Sequence, residues 1–296
     1  MRYETAAAFR QALEQRLLAR SRTTGESLVR LRKTVVFDRL LARLVVAAPG
    51  RWALKGSLAL DFRLGDRGRT TKDIDLVRRD DEESATDDLI AAQHVDLGDF
   101  FTLSAHKAPT PDDADGGGLR YRIRAELAAR LFEEVLVDVG FSDPLGWQPD
   151  RLSGPDLLAF AGLAPVQVPV LALEQQVAEK VHAYTRTYGQ GEPSSRVKDL
   201  VDLVLVANFL ALEASRLRRA LVVTFQDRGM QQLPATFPPP PADWAVAFRR
   251  HAAEVGIDPD LQTAHATVAA LLDPVLGGRA TGRWDPGTQQ WREDGA

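Results

Sequence analysis

Two aspartates, Asp73 and Asp75, stand two residues apart in the segment T-K-D-I-D-L-V. Alternate residues of a β-strand point to the same face, so a strand here would place both carboxylates together and Ile74 on the opposite side. Carboxylate oxygens suit Mg²⁺ or Mn²⁺ and leave coordination positions open for phosphate. Two solvated aspartates at the end of a strand would give the same pattern, so the neighbouring residues must decide between the two interpretations.

A Gly-Ser pair, Gly56 and Ser57, precedes the aspartates along the chain. It lies between a short apolar strand, W-A-L, and a predicted short helix, L-A-L-D-F-R-L, that ends at Gly65. Backbone N–H groups at such a turn and at the start of a helix bind phosphate oxygens, and glycine allows a ligand to approach closely. The turn therefore predicts a site for phosphate next to the carboxylates.

A third carboxylate, Asp138, falls late in the apolar segment E-E-V-L-V-D-V-G-F. Burying a lone acid in such a strand is costly unless a partner compensates its charge. If this strand lies beside the strand of Asp73 and Asp75, the three carboxylates converge. Two-metal phosphoryl transfer requires an arrangement of this kind.

The second half of the chain has two predicted helices with charged residues at helical spacing. Lys180 lies in the first, and Arg196, Asp199 and Asp202 lie in the second. Lys180 and Arg196 could bind the negatively charged phosphates of a nucleotide. An ordinary network of salt bridges on helix surfaces is the alternative interpretation.

The elements around these motifs predict an α/β (α+β) protein. Two helices precede Pro49-Gly50, an alternating strand is predicted at residues 119–127, and a more deeply buried strand at 133–141. A Pro-rich change in composition places a domain boundary near residue 150. Beyond it we predict helices at about 172–188, 196–209, 212–228, 242–255 and 260–274.

Composition and charge limit the possible functions. The 296 residues carry a net charge of −4 and contain no cysteine, which excludes a thiolate nucleophile or thiolate metal ligand. No signal-peptide core and no apolar run of about 20 residues occurs, so we predict a cytoplasmic protein with no membrane partner. Residues 1–50 carry ten Lys/Arg and four Asp/Glu, which indicates either a surface that attracts RNA or a solvated arginine-rich helix face.

The segment W-A-L-K-G-S-L-A-L-D-F-R-L-G followed by R-T-T-K-D-I-D-L resembles the first motif of the AbiEii/AbiGii-type toxin nucleotidyltransferases, the group that includes the mycobacterial MenT toxins. The later segments E-x-x-x-x-x-K-V-H-A and R-x-K-D-L-V-D-L resemble that family's second motif. The resemblance covers residues 28–210 approximately. The chain departs from it at Lys-Gly-Ser, where many relatives have a second glycine.

The resemblance implies a bilobed protein. Residues 1–150 would form a nucleotidyltransferase lobe of the DNA polymerase β type, with a mixed sheet and basic N-terminal helices. Residues 151–296 would form a helical lobe that completes the active-site cleft.

The resemblance also implies roles for individual residues. Gly56 and Ser57 would hold the triphosphate of an NTP, while Asp73, Asp75 and the less regular Asp138 would bind Mg²⁺ or Mn²⁺. In the second motif, Lys180 would contact nucleotide phosphate, Arg196 would face phosphate, and Asp202 would be an essential acid. Thr71 matches a position that the antitoxin of some relatives phosphorylates.

The implied function is a toxin that transfers NMP from an NTP to RNA, with the tRNA 3′ end as the expected acceptor, and so inhibits translation. A cognate AbiEi-type antitoxin is the implied protein partner. The same carboxylates would also serve nucleotidyl transfer to a small molecule, such as an antibiotic, or to a protein hydroxyl. A non-catalytic binding homologue is a further alternative. A glycosyltransferase that uses Asp-x-Asp would leave the Gly-Ser turn unexplained.

Overall fold

The computed structural model describes residues 1–69, 71, 73–109, 118–142, 148–188, 192–193, 196–228 and 232–293. The chain forms two compact units. The first consists of Met1–Phe62, Thr70–Asp143 and Pro149–Leu171, and the second of Arg63–Arg69, Pro144–Gln148 and Ala172–Ala296. The domain boundary near residue 150 stays a prediction, and residues 143–147 beside it lie outside the described residues.

A mixed seven-stranded sheet forms the centre of the first unit, as the sequence predicts. Its strands, in chain order, are β1 (Ala53–Lys55), β2 (Asp73–Arg78), β3 (Phe101–Ala108), β4 (Leu119–Leu127), β5 (Arg130–Phe141), β6 (Asp150–Ser153) and β7 (Gln167–Val170). Across the sheet they lie in the order β3-β4-β5-β2-β1-β7-β6. The pairs β2–β5 and β1–β7 are parallel, and the other neighbours are antiparallel.

Helices cover one face of this sheet. They are α1 (Ala6–Thr24), α2 (Leu28–Ala47) and α4 (Glu82–Gln93), while α3 (Gly56–Leu64) follows β1 directly. The hydroxyls of Thr5 and Ser27 cap α1 and α2, which satisfies N–H groups that the helices themselves leave unpaired. On β2, Ile74 and Leu76 are fully buried in the core shared with the helices. Asp73 and Asp75 therefore lie on the other face of the strand.

The arginines of the N-terminal helices make intramolecular contacts. Arg43 is buried and donates to both carboxylate oxygens of Asp99, at 2.9 and 2.7 Å. Arg39 forms an ion pair with Asp38 beside it. Arg32 donates to Glu14 across the two helices at 2.7 Å. For these residues the structure favours a role in packing over the attraction of RNA.

The second unit is mainly helical. Its elements are α5 (Leu173–Thr185), β8 (Thr187–Tyr188), β9 (Glu192–Pro193), α6 (Val197–Phe209), α7 (Ala214–Arg228), α8 (Ala245–Val255), α9 (Leu261–Leu276), β10 (Arg283–Asp285) and β11 (Gln290–Arg292). The hairpin β10–β11 docks through Trp284, whose indole donates to the carbonyl of Ala207 at 2.7 Å. No helix in the described part of the chain is long and apolar enough to cross a membrane.

His182 lies inside the second unit on α5. Its ring packs edge-on against Phe225 with 5.0 Å between ring centroids. Burial, together with the charge of Arg228, lowers the pKa of His182 to about 4. The imidazole is therefore neutral at neutral pH, as expected for a histidine of the core.

Candidate active site

Strand β2 carries the two aspartates as the alternation of its residues predicts. Asp73 and Asp75 are half-buried on one face, and Ile74 between them is fully buried on the other. The parallel pairing of β2 with β5 places Asp138 directly opposite Asp75. The predicted proximity of the three strand positions is thus present in the sheet.

Gly56, the first residue of α3, brings the start of this helix against the carboxylate of Asp75. Its φ of +65° lies in the left-handed region, which favours glycine. A Cβ atom at this position would lie 2.7 Å from the carboxyl carbon of Asp75. Ser57 follows in the first turn of α3 and is buried. The predicted phosphate site and the predicted metal ligand therefore adjoin each other.

The contact between Gly56 and Asp75 leads to a stability prediction. Gly56→Ala should lower the free energy of unfolding by about 2 to 3 kcal/mol, because a left-handed alanine and a clash with the Asp75 side chain add together. Urea unfolding measures this change. Gly65→Ala is the matched control, since Gly65 has a φ of +61° and no atom within 4 Å of an added Cβ. Equal losses in the two variants would contradict the clash.

Four charged residues form a row across four adjacent strands. Lys55 on β1 is opposite Asp75, Asp75 is opposite Asp138, and Asp138 is opposite Arg120 on β4. The Nε and Nη2 atoms of Arg120 donate to the two oxygens of Asp138 at 2.6 and 2.7 Å. These hydrogen bonds raise the pKa of Arg120 against the opposing effect of burial, and the charges of Asp73 and Asp75 add to the rise.

Asp73 and Asp75 have the chemistry and placement of ligands for a hard divalent cation. Mg²⁺ commonly uses one or two protein carboxylates and completes its octahedron with water and substrate phosphates. The carboxylate of Asp138, in contrast, is held by Arg120. Within the described residues, no group of three or more Asp, Glu, His and Cys side chains is arranged to hold a metal. Two carboxylates thus fit a cation, and the role of Asp138 as a third ligand stays a prediction.

Thr71 lies close to the metal-ligand candidates. Its hydroxyl donates to the backbone carbonyl of Asp73 at 3.2 Å, and the residue is half-buried. The hydroxyl is therefore tied to the start of β2. Its proposed phosphorylation stays a prediction.

A second charged cluster lies within the helical unit. The ammonium of Lys180 on α5 donates to Asp199 at 3.2 Å and to Asp202 at 2.6 Å, both on α6. Arg69 donates to both oxygens of Asp202, at 2.8 and 3.2 Å. Arg196 donates to Asp199 at 2.6 Å, and its side chain is 46% exposed. Only the two carboxylates and the ammonium of this cluster are deeply buried.

Electrostatics keep Lys180 and Asp199 of this cluster ionised. Burial by itself would lower the pKa of Lys180, but the carboxylates of Asp202 and Asp199 outweigh it and raise that pKa. Burial would likewise raise the pKa of Asp199, but Lys180 and Arg196 hold it below its ordinary value. Asp202 is 1% exposed and shared by two cations. Its geometry is that of an anchor for Lys180 and Arg69.

The sequence interpretation assigned no role to Arg69, Asp199 or Arg120. Arg69 is the arginine of the R-T-T-K-D-I-D motif, and its spacing from the aspartates was the signal available. Asp199 lies three residues before Asp202, on a helix whose buried side the periodicity did not resolve. Arg120 alternates with apolar residues on β4, and only the strand register reveals that it meets Asp138.

Comparison with known proteins identifies the family. A family model described as nucleotidyl transferase AbiEii toxin, type IV toxin–antitoxin system, matches residues 39–275. The chain belongs to the AbiEii family. The match confirms the resemblance seen in the two motifs, and it extends past them to residue 275, within α9 of this AbiEii protein.

Comparison with solved structures gives matches over most of the chain. MenT4, a nucleotidyltransferase toxin from Mycobacterium tuberculosis H37Rv, is 20% identical, with a TM-score of 0.54 over 91% of this chain and 98% of that one. JHP933 from Helicobacter pylori is 15% identical, with a TM-score of 0.45 over 83% of this chain and 93% of that one. Comparison with curated protein sequences gives no significant match. MenT4 and this AbiEii protein therefore share a fold.

Proposed function

We propose that this AbiEii protein is a toxin that transfers NMP from an NTP to the 3′ end of tRNA in the cytoplasm, with Mg²⁺ or Mn²⁺. The observation that carries the proposal is the contact of the Gly56 turn with Asp75, which has Asp73 on the same strand face. Family membership supports the reaction type. A cognate AbiEi-type antitoxin would restrain the toxin.

Different residues of the first unit would bind the triphosphate and the cation. The backbone at Gly56 and the first turn of α3 would hold triphosphate oxygens, because N–H groups at a helix start point toward an anion. Asp73 and Asp75 would hold the cation, which neutralises phosphate charge and orients the triphosphate. The oxygen of an acceptor hydroxyl would then bond to the α-phosphorus as the bond to pyrophosphate breaks, and the hydroxyl proton would pass to solvent. Contacts of Lys180 and Arg196 with nucleotide phosphate are part of the proposal.

The site face of β4 supports a polyanionic acceptor. Arg120, Arg122 and Arg124 alternate along the strand and share the face of Asp138. Each also pairs with an acid of this sheet, so their attraction for RNA is reduced. Transfer to an antibiotic or a protein hydroxyl would use the same carboxylates and is the alternative that the assay must separate.

The test is transfer of label from each of four α-³²P-labelled NTPs to total tRNA with Mg²⁺ or Mn²⁺. We expect one or more NTPs to label tRNA, and periodate oxidation of the tRNA 3′ end beforehand to prevent it. Labelling of protein or of an aminoglycoside instead would favour the alternative acceptors. No incorporation into any acceptor, by a folded protein, would contradict the proposal.

A further inference from the structure

Arg120 occupies both oxygens of the third carboxylate of the site. Its Nε and Nη2 atoms donate to Asp138 at 2.6 and 2.7 Å, a two-point contact that matches a guanidinium to a carboxylate. The pair is partly buried, with side chains 22% and 32% exposed. A cation that took Asp138 as a ligand would meet this guanidinium at the same oxygens.

The charges of the row explain why an internal cation is needed here. Asp73 and Asp75 share a strand face, and Asp138 lies opposite Asp75 on the neighbouring strand. Three carboxylates so placed repel one another. Lys55 and Arg120, at the two ends of the row, reduce the formal charge of the row together with Asp73 to −1. Removing Arg120 would leave −2 and an unoccupied Asp138.

We propose that Arg120 and the divalent cation compete for the carboxylate of Asp138, so that Arg120 sets the affinity of the site for metal. Arg120 is thus a positioning residue: it keeps Asp138 ordered and neutralised until a cation displaces it. The inference rests on the proposed function, which places the cation at Asp73 and Asp75. It predicts that loss of the guanidinium strengthens metal binding, whereas a purely structural arginine would weaken it or leave it unchanged.

The experiment measures Mn²⁺ binding to the full chain without NTP, by electron paramagnetic resonance of free Mn²⁺ and by calorimetry. Arg120→Gln should bind Mn²⁺ about tenfold more tightly than the wild type, because a competing positive charge is gone. Arg122→Gln is the matched control. Arg122 lies on β4 and shares its face with Arg120, but it pairs with Glu134 at 3.3 Å. The Mn²⁺ affinity of Arg122→Gln should therefore equal that of the wild type.

A double-variant comparison isolates Asp138. In an Asp138→Asn background, Arg120→Gln should give a much smaller gain in affinity, since only the effect of its charge on Asp73 and Asp75 remains. An equal gain in that background, or an unchanged affinity in Arg120→Gln alone, would overturn the role of Arg120. Asp75→Asn should lose Mn²⁺ binding, which would show that the Mn²⁺ measured is bound at the proposed cation site. If the wild type and every variant fail to bind Mn²⁺, the metal site of the proposed function is wrong and the inference fails with it.

Discussion

Replacing Asp75 with asparagine is expected to lower the rate of NMP transfer about a thousandfold while leaving the protein folded. Asparagine keeps the size of the side chain beside Gly56 but removes the charge that would hold the cation. Because Asp73 and Asp138 lie near Asp75, neutralising it also relieves repulsion between like charges. The melting temperature should therefore stay constant or rise.

Label incorporation into tRNA and thermal unfolding together measure this outcome. Glu134→Gln is the matched control: Glu134 lies on β5 in an exposed pair with Arg122, and its loss should leave transfer within about twofold. Growth arrest on induced expression should disappear with Asp75→Asn alone. Retention of more than about a tenth of wild-type transfer by a folded Asp75→Asn protein would remove Asp75 from the site.

Asp202→Asn, unlike Asp75→Asn, should destabilise the protein and lower its free energy of unfolding by about 3 kcal/mol. The carboxylate is almost fully buried and is shared by Lys180 and Arg69. Without the charge of Asp202, Asp199 is the one carboxylate left in this cluster for three cations, Lys180, Arg69 and Arg196. Chemical denaturation measures the loss, and a fall in activity should follow the loss of folded protein.

A second change tests the cause of this destabilisation. Adding Lys180→Met to Asp202→Asn should restore part of the lost stability, because it removes the ammonium that lost its partner. Asp227→Asn, at an exposed position of α7, is the control and should change stability by less than about 0.5 kcal/mol. If Asp202→Asn abolishes transfer at full stability, Asp202 acts in the chemistry and not as an anchor.

The strand pattern around the candidate metal ligands could be read from local sequence. Alternation in D-I-D-L-V decides which residues share a face, and a buried isoleucine between two acids leaves little choice. The helices of the second unit follow from the same kind of local periodicity. The short helix after Gly56 was predictable as well, since apolar residues and a terminal Gly65 mark it.

Other features depend on contacts that no local pattern contains. The strands β6 and β7 are short and were not predicted, yet β7 joins the sheet by pairing with β1, and β6 joins it by pairing with β7. The Arg120–Asp138 pair requires the register of β4 against β5. Arg69 and Asp202 are 133 residues apart, so only the folded chain brings them together. The charge count of the N-terminal segment likewise could not show that Arg43 forms an ion pair with Asp99 inside the core.

The parallel pairing of β1 with β7 has a consequence for how the protein is made. Leu54 pairs with Val170, so the strand that carries the Gly-Ser turn has one free edge until much later residues have left the ribosome. Contacts between distant residues form slowly because a long loop must first close. Arg69 can pair with Asp202 only later still, after α6 has been synthesised. A nascent or truncated chain that ends before β7 would hold the first sequence motif without the finished sheet, and the toxin would therefore acquire its activity only after α6 has been synthesised.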